Sequence, residues 1–218
     1  MPDFPQKDII LSIESAIAGG SISLWSGGKE IDCWIGNGGV SRAEDLLPNI
    51  ADMLGRSSIS RSDIGSVAVS IGPGSFTGIR IGIATALGLK NSLDIPCVGI
   101  AALEAMTSCS KSQGLVVAAV PMGRNAICFQ GFDLSNGREP VAVFGPFATR
   151  AKPNAALSGY DLDEMIVHES ICEYLRAELP GVCINSAGSN IAALIAESSS
   201  SPAMQKGLKP IFLSLSPE

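Results

Sequence analysis

A single histidine, His168, stands in the 218-residue chain. A zincin helix takes two histidines four residues apart, and a histidine-rich metal cluster takes at least two, so one copy of the chain builds neither. A Ser-His-Asp triad would have to run through His168. That residue lies in Met165-Ile166-Val167-His168-Glu169-Ser170-Ile171, at the start of an amphipathic helical pattern, where an ordinary helix-surface histidine is expected. The six cysteines, Cys33, Cys97, Cys109, Cys128, Cys172 and Cys183, include no C-x-x-C pair, which removes zinc-ribbon and thioredoxin readings. They sit in apolar stretches and read as small hydrophobes. Basic residues are few, 15 against 21 acidic, for a formal net charge of -6. A protein that grips nucleic acid by its own surface needs clustered Lys and Arg to displace counterions, so a stand-alone RNA or DNA binder is a poor fit. No uninterrupted apolar run approaches the ~20 residues of a membrane span. Met1 to Asp8 lacks the apolar centre of a signal peptide. A reducing cytoplasm, with no membrane partner, is the expected setting.

What remains is ample apolar material: 46% hydrophobic and 17% charged residues, enough to fold one large domain or two small ones on a shared core. Ile9 to Ser15, Ser21 to Ser26 and Glu30 to Ile35 read as three strands joined by glycine turns, which favours antiparallel hairpins. Ser41-Arg42-Ala43-Glu44 has the capping-box pattern, and Ala43, Leu46, Leu47, Ile50, Met53 and Leu54 recur at helical spacing. Pro48 inside that pattern predicts a kink or a late helix start. Ser66 to Ile71 is a buried strand, Thr77 to Ser92 a long helix, Ile95 to Val98 a strand and Ala101 to Cys109 a helix. The second half repeats the order, with strands at Leu115–Val120, Ala126–Asp133, Val141–Phe144 and Val182–Ser186 and helices at Met165–Leu179 and Asn190–Glu197. The pattern is a β-β-β-α-β-α unit used twice, ending in a strand-like Ile211-Phe212-Leu213.

The richest segment is Gly72-Pro73-Gly74-Ser75-Phe76-Thr77-Gly78-Ile79-Arg80-Ile81-Gly82. A strand enters it and a helix leaves it, and Ser75 or Thr77 is placed to cap that helix. Backbone N–H groups at a helix start attract anions, so Gly72, Pro73, Gly74, Ser75, Phe76, Thr77 and Gly78 form a candidate nucleotide or anion loop. The spacing matches neither a Walker A nor a Rossmann loop, and the phosphate-reaching lysine is missing; a tight strand-to-helix corner is the plainer reading. Beyond it, Gly78, Gly82, Thr85 and Leu89 share one helix face, where two glycines cost roughly 1 kcal/mol each relative to alanine. Something packs closely there, either the chain's own sheet or another protein. Ile79, Ile83, Ala86 and Leu87 give a second apolar face, so a partner is expected to cover one of the two.

A phosphotransferase would place acids at strand ends to hold magnesium. The first hairpin offers only Glu14, and the matching strand of the second half ends in Ala119-Val120-Pro121-Met122-Gly123 with no acid. No catalytic residue and no metal ligand is therefore assigned. An ATPase or phosphotransferase using Glu14 and the Gly72–Gly78 loop is the alternative reading. A protease, with one histidine and no metal cluster, is set aside.

The chain resembles the TsaB (YeaZ) family. Ile10-Leu11-Ser12-Ile13-Glu14-Ser15 is similar to its opening strand, Glu44-Asp45-Leu46-Leu47-Pro48 to its first helix, and Gly72 to Gly82 (GPGSFTGIRIG) to its signature. Leu87-Gly88-Leu89 and Leu103-Glu104-Ala105 continue the likeness, which is close from about residue 9 to 106. Beyond, it departs: Pro121-Met122-Gly123-Arg124 stands where an Asp-Ala-Arg-Arg stretch is common, and Pro210-Ile211-Phe212-Leu213-Ser214 where a Pro-x-Tyr-Leu-Arg ending is. The resemblance implies an α/β, actin/Hsp70/sugar-kinase-like (ribonuclease H-like) fold of two related subdomains, 1–106 and 107–218, the last residues packing back on the first. It implies a non-catalytic role in making threonylcarbamoyladenosine in tRNA. In that system TsaD carries the metal and transfers the group, and TsaE is an ATPase. The first two helices of the family contact TsaD, or a second copy in a homodimer, which maps to Ser41–Arg56 and Thr77–Ser92. Ala43, Leu46, Leu47, Ile50, Met53, Gly78, Gly82, Thr85 and Leu89 are the expected interface. ADP or ATP is expected only where TsaD meets the chain, and tRNA only through the complex.

Overall fold

The computed structural model describes residues 8–37, 43–123, 125–137 and 139–215. Ser41 and Arg42 of the capping-box pattern, Arg124, and the side chains of Ala43 and Glu44 lie outside the described residues. Three strands open the chain, β1 (Ile9–Glu14), β2 (Ser21–Ser26) and β3 (Lys29–Ile35). Then come α1 (Ala43–Arg56), β4 (Ile64–Ser70), α2 (Phe76–Leu93), β5 (Cys97–Ile100) and α3 (Ala102–Met106). The first sheet has the order β3-β2-β1-β4-β5, with β2 antiparallel and β4 parallel to β1.

The second half is β6 (Leu115–Pro121), β7 (Ile127–Asp133), β8 (Val141–Thr149), α4 (Pro153–Ala156), β9 (Glu164–Val167), α5 (Glu169–Glu178), β10 (Ile184–Ser186) and α6 (Ile191–Ser198). Its sheet, read from the other end, is β8-β7-β6-β9-β10, the same order and the same mixture of directions. The fold is the duplicated actin/Hsp70/sugar-kinase-like α/β architecture.

Alternation along the central strands sorts the core into layers. On β1, Leu11 and Ile13 point into a core shared with Leu46, Ile50 and Met53 of α1 and Ile79, Ile83 and Ala86 of α2. Ile10, on the opposite face, joins a middle core with Leu103 and Met106 of α3, Ile191 and Ile195 of α6, and Val116, Ala118 and Val120 of β6. Val117 and Ala119 face a third core with Cys172 and Leu175 of α5. The period of two on each strand thus feeds two helical layers from one segment. Helices α3 and α6 lie between the sheets, and α6 packs on β1, β2 and β4 although it comes last in the chain. Buried serines seal the seam: Ser12 Oγ donates to the Ala192 carbonyl at 2.7 Å, and Ser21 Oγ accepts from the Ala192 N–H at 2.9 Å. Asn190 Nδ2 adds a 2.7 Å bond to Glu30 Oε1 across the same seam.

Three sequence expectations change. Met165–Val167 belong to β9, not to a helix, and α5 starts only at Glu169. Helix α1 does not start late: it runs from Ala43 to Arg56 with Pro48 inside, which leaves the kink as the remaining form of that expectation. Residues 211–213 form no strand; the tail makes a single parallel bridge, Leu215 to Ala148, and pairs Lys206 with Gly99.

Candidate functional site

The glycine corner is closed by the chain itself. Strand β4 delivers Ile71 to Gly72, whose φ of +100° only glycine adopts easily. Ser75 caps α2, its Oγ accepting from Gly78 N–H at 3.3 Å. The turn after β1 lies directly on this helix start: Ser75 N–H donates to the Ala16 carbonyl at 2.8 Å, and Ser15 Oγ donates to the Gly78 carbonyl at 2.9 Å. A Cβ on Gly74 would stand 2.6 Å from that of Ala16, and one on Gly78 would land on the Ser15 carbonyl oxygen. One on Gly82 would strike Ser15 Oγ. The close approach inferred from these glycines is therefore made by the chain's own turn. Gly72, Pro73, Gly74 and Gly78 are buried, and only Ser75, Phe76 and Thr77 reach the surface. The loop is a packed corner, not an open cradle for phosphate.

Glu14 fits the same correction. It is 1% exposed, and its Oε1 turns back to accept from Ala16 N–H at 2.6 Å and Ile17 N–H at 3.1 Å. Burial pushes its carboxyl up to about 8, against the pull of the backbone donors at Ala16, Ile17 and Ser15. The group pins the turn that fills the corner and presents no oxygen to solvent for magnesium. Among the described residues no group of three or more His, Cys, Asp or Glu side chains is placed to hold a metal ion.

His168 is 3% exposed and is not a surface residue. It caps α5, Nδ1 accepting from Ser170 N–H at 3.2 Å, and burial holds its imidazole below the ordinary value. With its neighbours Val167 and Glu169 on β9 and α5, it is a structural cap.

The expected interface residues divide. Helices α1 and α2 pack side by side on one face of the first sheet. Leu46, Ile50 and Met53 are buried beneath them, as are Gly78 and Gly82, so these five line the chain's own core. The physical reason is that apolar residues recurring at steps of four and three on a helix over a sheet mark the sheet-facing stripe. Thr85 and Leu89 are half-buried, and Leu47 alone of the described set stands out, at 55% exposure. The outward face of α2 is instead Phe76, Thr77, Arg80, Ala84, Leu87, Gly88 and Asn91. Nothing lies within 4 Å of where a Cβ on Gly88 would be. Ala84 and Gly88, one turn apart, with Leu87 next to Gly88, make a small apolar strip on α2 that a second helix could approach closely, and Leu47 is exposed on the neighbouring α1.

One feature gave no sequence signal. Glu164, inside β9, is buried and accepts from Ser110 Oγ, from Lys111 and Ser112 N–H (both 3.1 Å), and from Asn185 Nδ2. Burial pushes its carboxyl up, but these bonds outweigh it and hold the group below the usual range. The tail, expected to pack back on the first subdomain, sets Phe212 on Phe76.

With this geometry in view, comparison with known proteins is specific over the first half. The family described as TsaD, tRNA N6-adenosine threonylcarbamoyltransferase, matches residues 40–138. The tRNA threonylcarbamoyladenosine biosynthesis protein TsaB of Escherichia coli is 36% identical over 97 residues, 44% of this chain and 42% of that protein. TsaB of Buchnera aphidicola subsp. Schizaphis graminum is 36% identical over 123 residues, 54% of this chain and 58% of that protein. The matches thus span about half the length of these relatives. YeaZ from Pseudomonas aeruginosa superposes with a TM-score of 0.69 at 18% identity, covering 94% of this chain and 100% of that one. The ethanolamine utilization protein EutJ from Carboxydothermus hydrogenoformans shares the fold at a TM-score of 0.53 and 10% identity, over 90% of each chain. The likeness to TsaB (YeaZ) proteins is present in sequence over the first half and in fold over nearly the whole chain.

Proposed function

We propose that the chain is a TsaB-type scaffold subunit that supports formation of threonylcarbamoyladenosine in tRNA, docking TsaD through the outward face of α1 and α2 and doing no chemistry itself. The likeness to proteins named for that biosynthesis supports the pathway. The observation that carries the docking is the outward strip of Ala84, Leu87 and Gly88 on α2, together with exposed Leu47 on the neighbouring α1, the two leucines being 37% and 55% exposed respectively. Small residues one turn apart let a partner helix come close, and each leucine covered adds roughly 1 kcal/mol. The docking face is thus the outer side of these helices, opposite the glycine face. Without TsaD, the same strip pairs with a second copy. TsaE joins the assembly, ADP or ATP binds only where TsaD meets the chain, tRNA is reached through the complex, and the setting is the cytoplasm.

The closed corner and the inward-turned Glu14 agree with a chain that does not process nucleotide, and no observation favours the phosphotransferase alternative. The test is a threonylcarbamoylation assay containing TsaD but no other TsaB. Addition of this chain is expected to restore modified adenosine in tRNA. An unchanged blank would overturn the proposal, as would sustained magnesium-ATP turnover by the chain alone that Glu14→Gln removes.

A further inference from the structure

Between residues 206 and 215 the tail touches both sheets and the glycine corner. Lys206 and Gly99 exchange both backbone bonds, at 2.7 and 3.0 Å, beside β5. Ile211 N–H donates to the Ile71 carbonyl at 2.8 Å, and a Cβ on Gly72 would meet the Ile211 carbonyl at 3.0 Å, so the tail lies directly over the corner. Phe212 then sets its ring on Phe76, centroids 4.5 Å apart, with the Arg80 guanidinium 3.8 Å from the Phe76 centroid. Leu213 drops into the middle core, and Leu215 bridges Ala148 at the end of β8.

The tail's contacts differ in depth: Leu208, Ile211 and Leu213 pack against the cores, whereas its ring contact with α2 stands in solvent. The tail forms isolated bridges in place of a continuous ladder. Phe76 and Phe212, its contact with α2, remain 50% and 45% exposed. A segment built for stability alone would bury such rings; one held by exposed contacts sits at the low-stability end of a fold and opens locally.

We propose that the tail is a releasable latch: with Phe212 on Phe76 as its catch, it covers the Ile71–Gly72 entry of the corner and ties the start of α2 to the second sheet. Freeing Phe212 loosens Ile211 over Gly72 on one side and Leu215 at Ala148 on the other. The corner and the end of β8 therefore open together, although they belong to different sheets. The latch stands whether or not TsaD is the partner of α2.

Amide hydrogen exchange on the full chain tests it, comparing wild type, Phe212→Ala and Phe212→Tyr. In Phe212→Ala, exchange is expected to rise about threefold to tenfold in peptides over residues 71–79 and 145–149 as well as in the tail, with β1 and β6 unchanged. Phe212→Tyr keeps the ring and is expected to match wild type. Faster exchange confined to residues 206–215 would overturn the latch. So would a uniform rise in every strand, which would make the tail part of the global core.

Discussion

Replacing Glu14 by glutamine leaves a side-chain carbonyl for the N–H groups of Ala16 and Ile17 but removes the proton that burial forces on the acid. The sign follows from linkage. In the unfolded chain the carboxyl titrates near 4.5, and in the fold it is raised to about 8, so between these values the folded state holds the extra proton. Stability from this group is complete below pH 4.5 and is lost as pH rises through the window toward 8. The slope there reaches about 1.4 kcal/mol per pH unit, and the whole loss roughly 4–5 kcal/mol. With an m-value of ~2 kcal/mol per M, the urea midpoint of the wild type falls by roughly 0.7 M per pH unit relative to the variant. Buried His168, held below its ordinary value, has the opposite sign: its contribution is present above pH 6.5 and lost as pH falls. Taking the difference between wild type and Glu14→Gln at each pH cancels that contribution and the others common to both. The assay is urea unfolding by circular dichroism from pH 5 to 8.5. A difference that stays flat across this range would refute the placement of Glu14 as a buried acid pinning the turn.

Gly78→Ala pushes a methyl group into the Ser15 carbonyl, and a stability loss of about 2 kcal/mol or more is expected in urea titration. Wild-type stability in that variant would mean the turn does not lie on α2. His168→Ala removes the acceptor for Ser170 N–H at the start of α5, for a loss of about 1 kcal/mol. Its support of tRNA modification is expected to be unchanged, and loss of that support in a folded variant would contradict the structural role.

Much of the architecture was legible because short strands, glycine turns and the Gly72–Gly82 corner punctuate the chain clearly. The strand β9 was not: Glu164, Met165, Ile166 and Val167 are all buried, so they show no alternation, and they run into the apolar positions of α5 as if one helix. Losing β9 also hid Glu164 and moved His168 from a buried cap to a helix surface. At the candidate site the spacing of Gly78 and Gly82 announced a close neighbour but not its identity, because a sequence does not say which side of a helix faces the sheet. Leu46, Ile50 and Met53 carry the same ambiguity, and all three turn inward. Exposed Ala84 and Gly88 break no amphipathic pattern, so nothing in the sequence singled them out. Substitutions such as Leu46→Asp or Gly82→Leu strike the core itself, so they would unfold the chain before they reported on docking.

Ala84→Arg avoids that problem, since Ala84 is exposed on the outer side of α2 and the substitution leaves the core untouched. Size-exclusion chromatography with light scattering, on TsaD mixed with wild type or Ala84→Arg, reads the docking directly. Wild type is expected to elute with TsaD as a complex, and Ala84→Arg to remain folded and separate. Co-elution of Ala84→Arg with TsaD at wild-type stoichiometry and affinity would contradict docking through the outer face of α2.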